Sequence, residues 1–281
     1  MENIKIGIVG LGLIGGSLAK AYKRNTDYTL YGSDRDPLAV QLALLTESMD
    51  AELTDDLLPS CDFIFLAIYP RAAVAWLEQN AAKLSSRTIV IDCCGIKQAV
   101  CEVGFRLAEQ YGFQYYGGHP MAGTQYNGFK YSREDMFQDA SMILVPPVDP
   151  DISLLDRIHK LLAKAGFTHV TITTAEKHDN MIAYTSQLAH VVSNAYVKSP
   201  NAQIHHGFSA GSYRDLTRVA RLNENMWTEL FLDNAEALTT EIDFIINSLQ
   251  QYSDAIKAGD AERLRALLRE GRLLKENEEQ L

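Results

Sequence analysis

The 281-residue chain is poor in the features that mark several large classes of protein. It has four cysteines, Cys61, Cys93, Cys94 and Cys101; none forms a CxxC pair, and none stands at a spacing from histidine that suits zinc. Neither a disulfide framework nor a metal site is expected. No stretch reaches the ~18 apolar residues of a membrane span. The opening MENIKIGIVG lacks the basic start and long apolar run of a signal peptide. A cytoplasmic protein of a reducing compartment is expected, without a membrane partner. Positive charge is also short: 26 Lys and Arg stand against 36 Asp and Glu, for a net charge of -10. Such a surface repels phosphate backbones, which excludes nucleic acid as an expected partner. An anionic small molecule would need a local cluster of Arg or Lys. The chain shows no internal repeat and no low-complexity tract.

What is present reads as an ordinary globular protein, 47% hydrophobic and 22% charged, long enough for two domains of ~150 residues. Strand-like apolar runs at 4–9, 28–31, 63–68, 88–91 and 142–145 alternate with helix-like stretches at 37–45, 72–84 and 97–111. That alternation predicts right-handed crossovers and a parallel sheet. Three prolines at Pro146, Pro147 and Pro150 interrupt regular structure, and the division is expected there, between residues 148 and 149. Beyond it the spacing of apolar residues predicts amphipathic helices over 177–198, 225–257 and 260–279. Gly259 suits a helix C′ position and Asp260 the next N-cap. Trp227, Phe231 and Phe244 add bulky apolar side chains to this smaller half, and a shared helical homodimer is one way to cover them. Trp227 itself is expected in the core or at that interface.

Gly10-Leu11-Gly12-Leu13-Ile14-Gly15 is a G-x-G-x-x-G turn that follows a strand and opens a helix, and Asp34 lies 19 residues past Gly15. The three glycines allow, in order, the tight turn, close approach to a pyrophosphate, and close packing of helix on strand. Leu13 and Ile14 stand where the helix N-terminus attracts phosphate. Asp34 can accept hydrogen bonds from ribose hydroxyls and would repel a 2′-phosphate, which favours NAD over NADP; the neighbouring Arg35 weakens that preference. The expected fold is thus an α/β Rossmann N-terminal domain, 1–148, with an all-α C-terminal domain, 149–281, whose helices either a dimer or a monomeric bundle would cover.

Gly117-Gly118-His119-Pro120-Met121-Ala122-Gly123-Thr124 surrounds one histidine with turn formers, and His119 is expected on a loop, available as a base near neutrality. Arg214, Arg218 and Arg221 are spaced i, i+4, i+7 and would share one face if helical. His205 and His206 are read as histidines that merely bond loop carbonyls.

The sequence resembles the prephenate dehydrogenase family, which includes arogenate dehydrogenases. The resemblance rests on Gly10–Ala19 (GLGLIGGSLA), Gly117–Thr124 (GGHPMAGT), and Asp215–Ala220 (DLTRVA) followed by Asn225-Met226-Trp227. It implies an α/β Rossmann N-terminal domain plus an all-α C-terminal dimerisation domain, and a nicotinamide-dependent oxidative decarboxylation of a cyclohexadienol, with His119 as catalytic histidine, Arg218 as carboxylate anchor and His190 as a second substrate-site histidine. Thr124 and Gln125, which are uncharged, tilt the substrate towards prephenate rather than the amine arogenate; Arg214 is a further candidate for substrate binding. Two departures stand out. Gln187 and Ala189 differ from the S-H-L-P-H pattern that precedes His190. Gly95 stands in Asp92–Lys97 (DCCGIK), where relatives often have a serine that bonds the catalytic histidine. Another hydroxyl, a water or a different orientation of His119 must make up for it. Cys93 and Cys94 are read as strand-end packing. The missing serine is the one feature that favours a non-catalytic NAD-binding sensor.

Overall fold

The structure, a computed structural model, describes residues 4–124, 126–205 and 207–280. Gln125 and His206 fall outside the described residues. The first half alternates strand and helix: β1 Lys5–Val9, α1 Leu13–Asn25, β2 Thr29–Ser33, α2 Pro37–Leu45, β3 Ala51–Glu52, β4 Phe63–Leu66, α3 Pro70–Asn80, β5 Ile89–Asp92, α4 Gln98–Tyr111, β6 Gln114–Pro120 and β7 Ser141–Val145. α5 Ile152–Ala165 and β8 His169–Ile172 follow. The order across the sheet is β3-β2-β1-β4-β5-β6-β7-β8, parallel except where β6 meets β7. Short β-branched and aromatic runs suit these central strands: all residues of β4 and β5 are buried, as expected where helices cover both faces. One core packs Tyr22 and Leu18 of α1 and Leu161 of α5 against Ile8, Phe65 and Ile91. The other packs Leu77 of α3 and Leu107 of α4 against Ile64, Val90 and Tyr115.

The sheet does not stop at the proline cluster. α5 packs on α1, and β8 pairs with β7 in parallel, Met142 opposite Val170. The change to all-helical structure falls after Ile172 rather than at 148/149. Three prolines interrupt a chain without ending a unit, because packing of α5 and β8 decides membership.

The helical half comprises α6 Ala175–Ile182, a π-helical turn Ala183–Leu188, α7 Ala189–Tyr196, α8 Gly211–Thr217, α9 Glu224–Asp233, α10 Ala235–Ala258 and α11 Ala261–Glu278. The expected helix over 225–257 is broken at Asn234, whose amide turns inward to the Asp179 carbonyl (2.9 Å) and to Gln187 Oε1 (2.8 Å). Gly259 does close α10 in the left-handed region (φ 62°), and the Asp260 side chain caps α11. The core of this half is small: Ala183, Leu188 and Leu238, with Val192, Phe231 and Ile245 packed against them. Meanwhile Phe244, Leu249 and Ile256 of α10 and Leu268 and Leu274 of α11 are exposed. Among the described residues no helix is long and apolar enough to cross a membrane.

Candidate active site

Strand order reverses between β1 and β4, and the ends of these strands open into a cleft of about 1280 Å³. Ligands of doubly wound sheets bind at such switch points. The volume exceeds the ~300–1,000 Å³ of a usual single-ligand pocket. It has room for a dinucleotide and a second small molecule.

The glycine turn forms one end of the cleft. Gly10 has φ +91°, and a Cβ there would lie 2.5 Å from the Ala67 carbonyl oxygen. A Cβ on Gly15 would lie 1.8 Å from the Gly10 oxygen, so α1 can approach β1 only with glycine here. A Cβ on Gly12 would meet open space, on the side where Gly10, Gly12, Leu13 and Ile14 line the cleft. No side chain caps α1, and its first turn carries no acidic residue. Its N-terminal amides and positive dipole end are therefore free for a phosphate. Asp34 is held by its own backbone surroundings: Oδ2 accepts from Leu11 N (2.6 Å) and Oδ1 from Asp36 N (2.9 Å). Arg35 lines the cleft beside it. These residues fit the diphosphate and ribose of a nicotinamide dinucleotide.

His119 stands at the other end, and on a strand rather than the expected loop: it is the penultimate residue of β6, opposite Ile143 of β7. The glycines before it serve packing, since a Cβ on Gly118 would lie 2.3 Å from the Asp92 carbonyl oxygen. The Gly118 peptide is clamped by a buried ion pair. Asp92 Oδ2 accepts from Gly118 N (3.2 Å) and from the Tyr115 hydroxyl (2.6 Å), while Lys97 Nζ donates to Gly118 O (2.6 Å) and to Asp92. Burial, the largest single influence, lowers the Lys97 ammonium, but the charge and hydrogen bond of Asp92 together with the neighbouring Cys94 and Cys101 outweigh it, and the net shift is upward.

The ring of His119 reaches across to the helical half. Its Nδ1 lies 2.9 Å from His178 Nε2, and His178 Nδ1 lies 2.7 Å from Asp179 Oδ1. Asp179 is fully buried; its two oxygens accept from Lys97 N (2.7 Å) and Gln98 N (2.8 Å) at the start of α4. Burial would raise the Asp179 carboxyl, but the bonds from His178, Gln98 and Lys97 hold it below the ordinary range. Burial, then the neighbouring His178 and the Lys97 charge, push His119 well below the usual 6.5. It is a neutral imidazole at neutral pH, able to take a proton.

The remaining wall comes from the helical half. The π-helical turn brings Ser186 and Gln187 to the cleft, with Gln187 Nε2 bonded to Leu230 O at 3.0 Å. His190 Nδ1 donates to Val219 O (2.9 Å), and its ring packs at a 40° tilt against Trp227 with centroids 3.9 Å apart. Trp227 thus lines the cleft. Burial and the Arg218 charge lower His190, against the raising effect of its Val219 bond. Arg218 and Arg221 line the cleft, are exposed, and have no ion-pair partner among the described residues. The three arginines do not share a helical face. α8 ends at Thr217 and a 3-10 turn, Arg218–Ala220, follows, which leaves Arg214 on α8 outside the cleft lining. Thr124 and Gly95 are in the lining; Gln125 lies outside the described residues. Cys93 also lines the cleft, whereas Cys94 is buried beneath it. Among the described residues no cluster of His, Cys, Asp and Glu could hold a metal ion.

Sequence reasoning missed His178, Asp179 and the Asp92–Lys97 clamp. The visible signal was an adjacent His-Asp pair on a predicted helix. The partner 59 residues away was not visible.

Comparison with known proteins agrees with the fold. Residues 18–171 match the family model described as "Prephenate dehydrogenase, nucleotide-binding domain" and 174–270 that described as "Prephenate dehydrogenase, dimerization domain". The two meet where β8 ends. The cyclohexadienyl dehydrogenase of Zymomonas mobilis is 30% identical over 92% of this chain and 90% of its own. Synechocystis arogenate dehydrogenase superposes with a TM-score of 0.81 at 27% identity, covering 98% of this chain and 99% of that one. Prephenate dehydrogenase from A. aeolicus, solved with hydroxyphenyl propionate and NAD+, gives 0.81 at 26% identity over 99% of both chains. Matched in both halves and in their order, the chain belongs to the prephenate dehydrogenase family of oxidoreductases.

Proposed function

We propose that the chain oxidatively decarboxylates prephenate to 4-hydroxyphenylpyruvate, with NAD as acceptor, in tyrosine biosynthesis. The observation that carries this reading is one cleft shared by the uncapped α1 N-terminus, a neutral His119 and two arginines with no ion-pair partner among the described residues. NAD, when bound, supplies the hydride acceptor. Asp34, fixed by two backbone amides, receives the ribose hydroxyls and disfavours a 2′-phosphate. Arg218 anchors the ring carboxylate through its guanidinium fork, and Arg221 meets the side-chain carboxylate. His119 accepts the C4 hydroxyl proton at Nε2 as hydride leaves C4. The dienone so formed loses CO2 and becomes aromatic, which drives the reaction forward. Two units meeting across the cleft hold the reacting atoms at the ~3–3.5 Å that the transfer requires.

The choice of prephenate over arogenate rests on charge. The carboxylates among the described lining residues are Asp34 and Asp36, both at the dinucleotide end. No acidic side chain there is placed to meet an amine. Exposed Phe244, Leu249 and Ile256 on α10 supply an apolar face for a homodimer, in keeping with the dimerisation domain of the family. Four free thiols suit a cytoplasmic setting. The test is NADH formation at 340 nm (the band of reduced nicotinamide) with prephenate and arogenate supplied separately, each with NAD or NADP. Turnover of prephenate with NAD is expected; turnover of arogenate alone would reverse the substrate assignment.

A further inference from the structure

The bonds around His119 have a direction. Asp179 is held as a carboxylate and can only accept, so the 2.7 Å contact requires a proton on His178 Nδ1. A neutral His178 then carries no proton on Nε2, and Nε2 can only accept across the 2.9 Å contact to His119 Nδ1. With His178 in this neutral form, His119 holds its own proton on Nδ1. Its Nε2, on a residue that lines the cleft, is left with a free lone pair. Asp179 is in turn immobilised by Lys97 N and Gln98 N of α4, and its backbone carbonyl by Asn234. The chain of bonds runs from the α4 N-terminus through α6 to β6.

We propose that His178 is the positioning residue for the His119 base: it selects the imidazole tautomer that can accept the substrate proton, and it does so in place of a hydroxyl from position 95. Gly95 lines the same cleft and has no side chain to give. As His119 takes the proton from substrate, the bond to His178 strengthens and Asp179 offsets the new positive charge through it. Because the base comes from the sheet half and its orienting pair from the helical half, His119 is competent only with α6 seated on α4. The kinetic part of this proposal rests on the dehydrogenase reading above; the tautomer does not.

The test combines ring-nitrogen NMR of the labelled protein with kinetics of two variants. In the wild type, His119 is expected to show a pyrrole-like Nδ1 and a pyridine-like Nε2. His178→Leu keeps an apolar volume at this buried position but removes the acceptor; His119 should then sample both tautomers, and kcat should fall on the order of 10²-fold, with KM for both substrates within about twofold. His178→Gln offers an amide oxygen to His119 Nδ1 and should recover at least about tenfold of the loss. A protonated Nε2 on His119 in the wild type would overturn the proposal. So would wild-type kcat in His178→Leu, or a Gln variant no better than Leu. Absence of wild-type turnover with either cyclohexadienol would instead sink the dehydrogenase reading, and the NMR result would judge the tautomer alone.

Discussion

The two ends of the cleft are built differently. At the dinucleotide end every working residue lies within 25 positions, from Gly10 to Asp34, on one strand–turn–helix–strand unit. At the other end, His119 comes from β6, His178 and Asp179 from α6, and Arg218 and Trp227 from segments about a hundred residues beyond His119. The first end is fixed by local backbone geometry and survives as a motif. The second is fixed by packing between units, and His178 and Asp179 look ordinary in their own sequence neighbourhood. A defect at the first should cost cofactor binding; a defect at the second should cost catalysis or the docking of the halves.

The largest effect on stability is expected at the clamp that holds β6. Lys97→Met leaves Asp92 charged and buried without its partner, and should cost about 3–5 kcal/mol in urea denaturation. A loss under ~1 kcal/mol would mean that Tyr115 and the Gly118 amide satisfy Asp92 unaided. Next comes the glycine turn. Gly15→Ala sets a Cβ against the Gly10 carbonyl and should destabilise by about 1–3 kcal/mol, with NAD affinity, read by calorimetry, falling in step. Unchanged affinity would break the link between close packing and the phosphate site. Arg218→Lys keeps the charge but loses the fork. KM for prephenate should rise about tenfold, or ~1.4 kcal/mol, with kcat little altered, and an unchanged KM would remove Arg218 as the anchor.

The smallest effect is on pH dependence. The folded-state pKa of His119 lies below its unfolded value, so between the two the unfolded chain binds more protons. Stability therefore falls as pH drops through 6.5 towards the folded pKa, and this contribution is absent above 6.5. The base stays unprotonated over the same window. The acid limb of kcat/KM should then lie below pH 6.5, and a limb at or above that value would contradict the environment described for His119.

These contrasts also explain what could be read in the sequence. The alternation of strands and helices, the bounds of α2 at 37–45 and the caps around Gly259 and Asp260 were legible because each depends on neighbours in the chain. The extent of the sheet was not, because β8 belongs to it only through pairing with β7. His119 was legible as the one histidine among glycines and a proline, although those glycines serve a packed strand and not a loop. The answer to Gly95 was illegible: it lies in His178, which nothing in its own helix marks as facing a base. Arg214 shows the converse error. The i, i+4 rule assumed a continuous helix, and α8 ends before Arg218.

The central claim is that His119 is the base in a cleft it shares with the bound dinucleotide. Its most direct test is His119→Asn assayed beside the wild type, with prephenate and NAD at saturation, while NAD binding is followed by calorimetry. The account predicts a loss in kcat of about 10²–10⁴ with NAD affinity unchanged. Turnover within a few-fold of wild type would contradict it and place the base elsewhere.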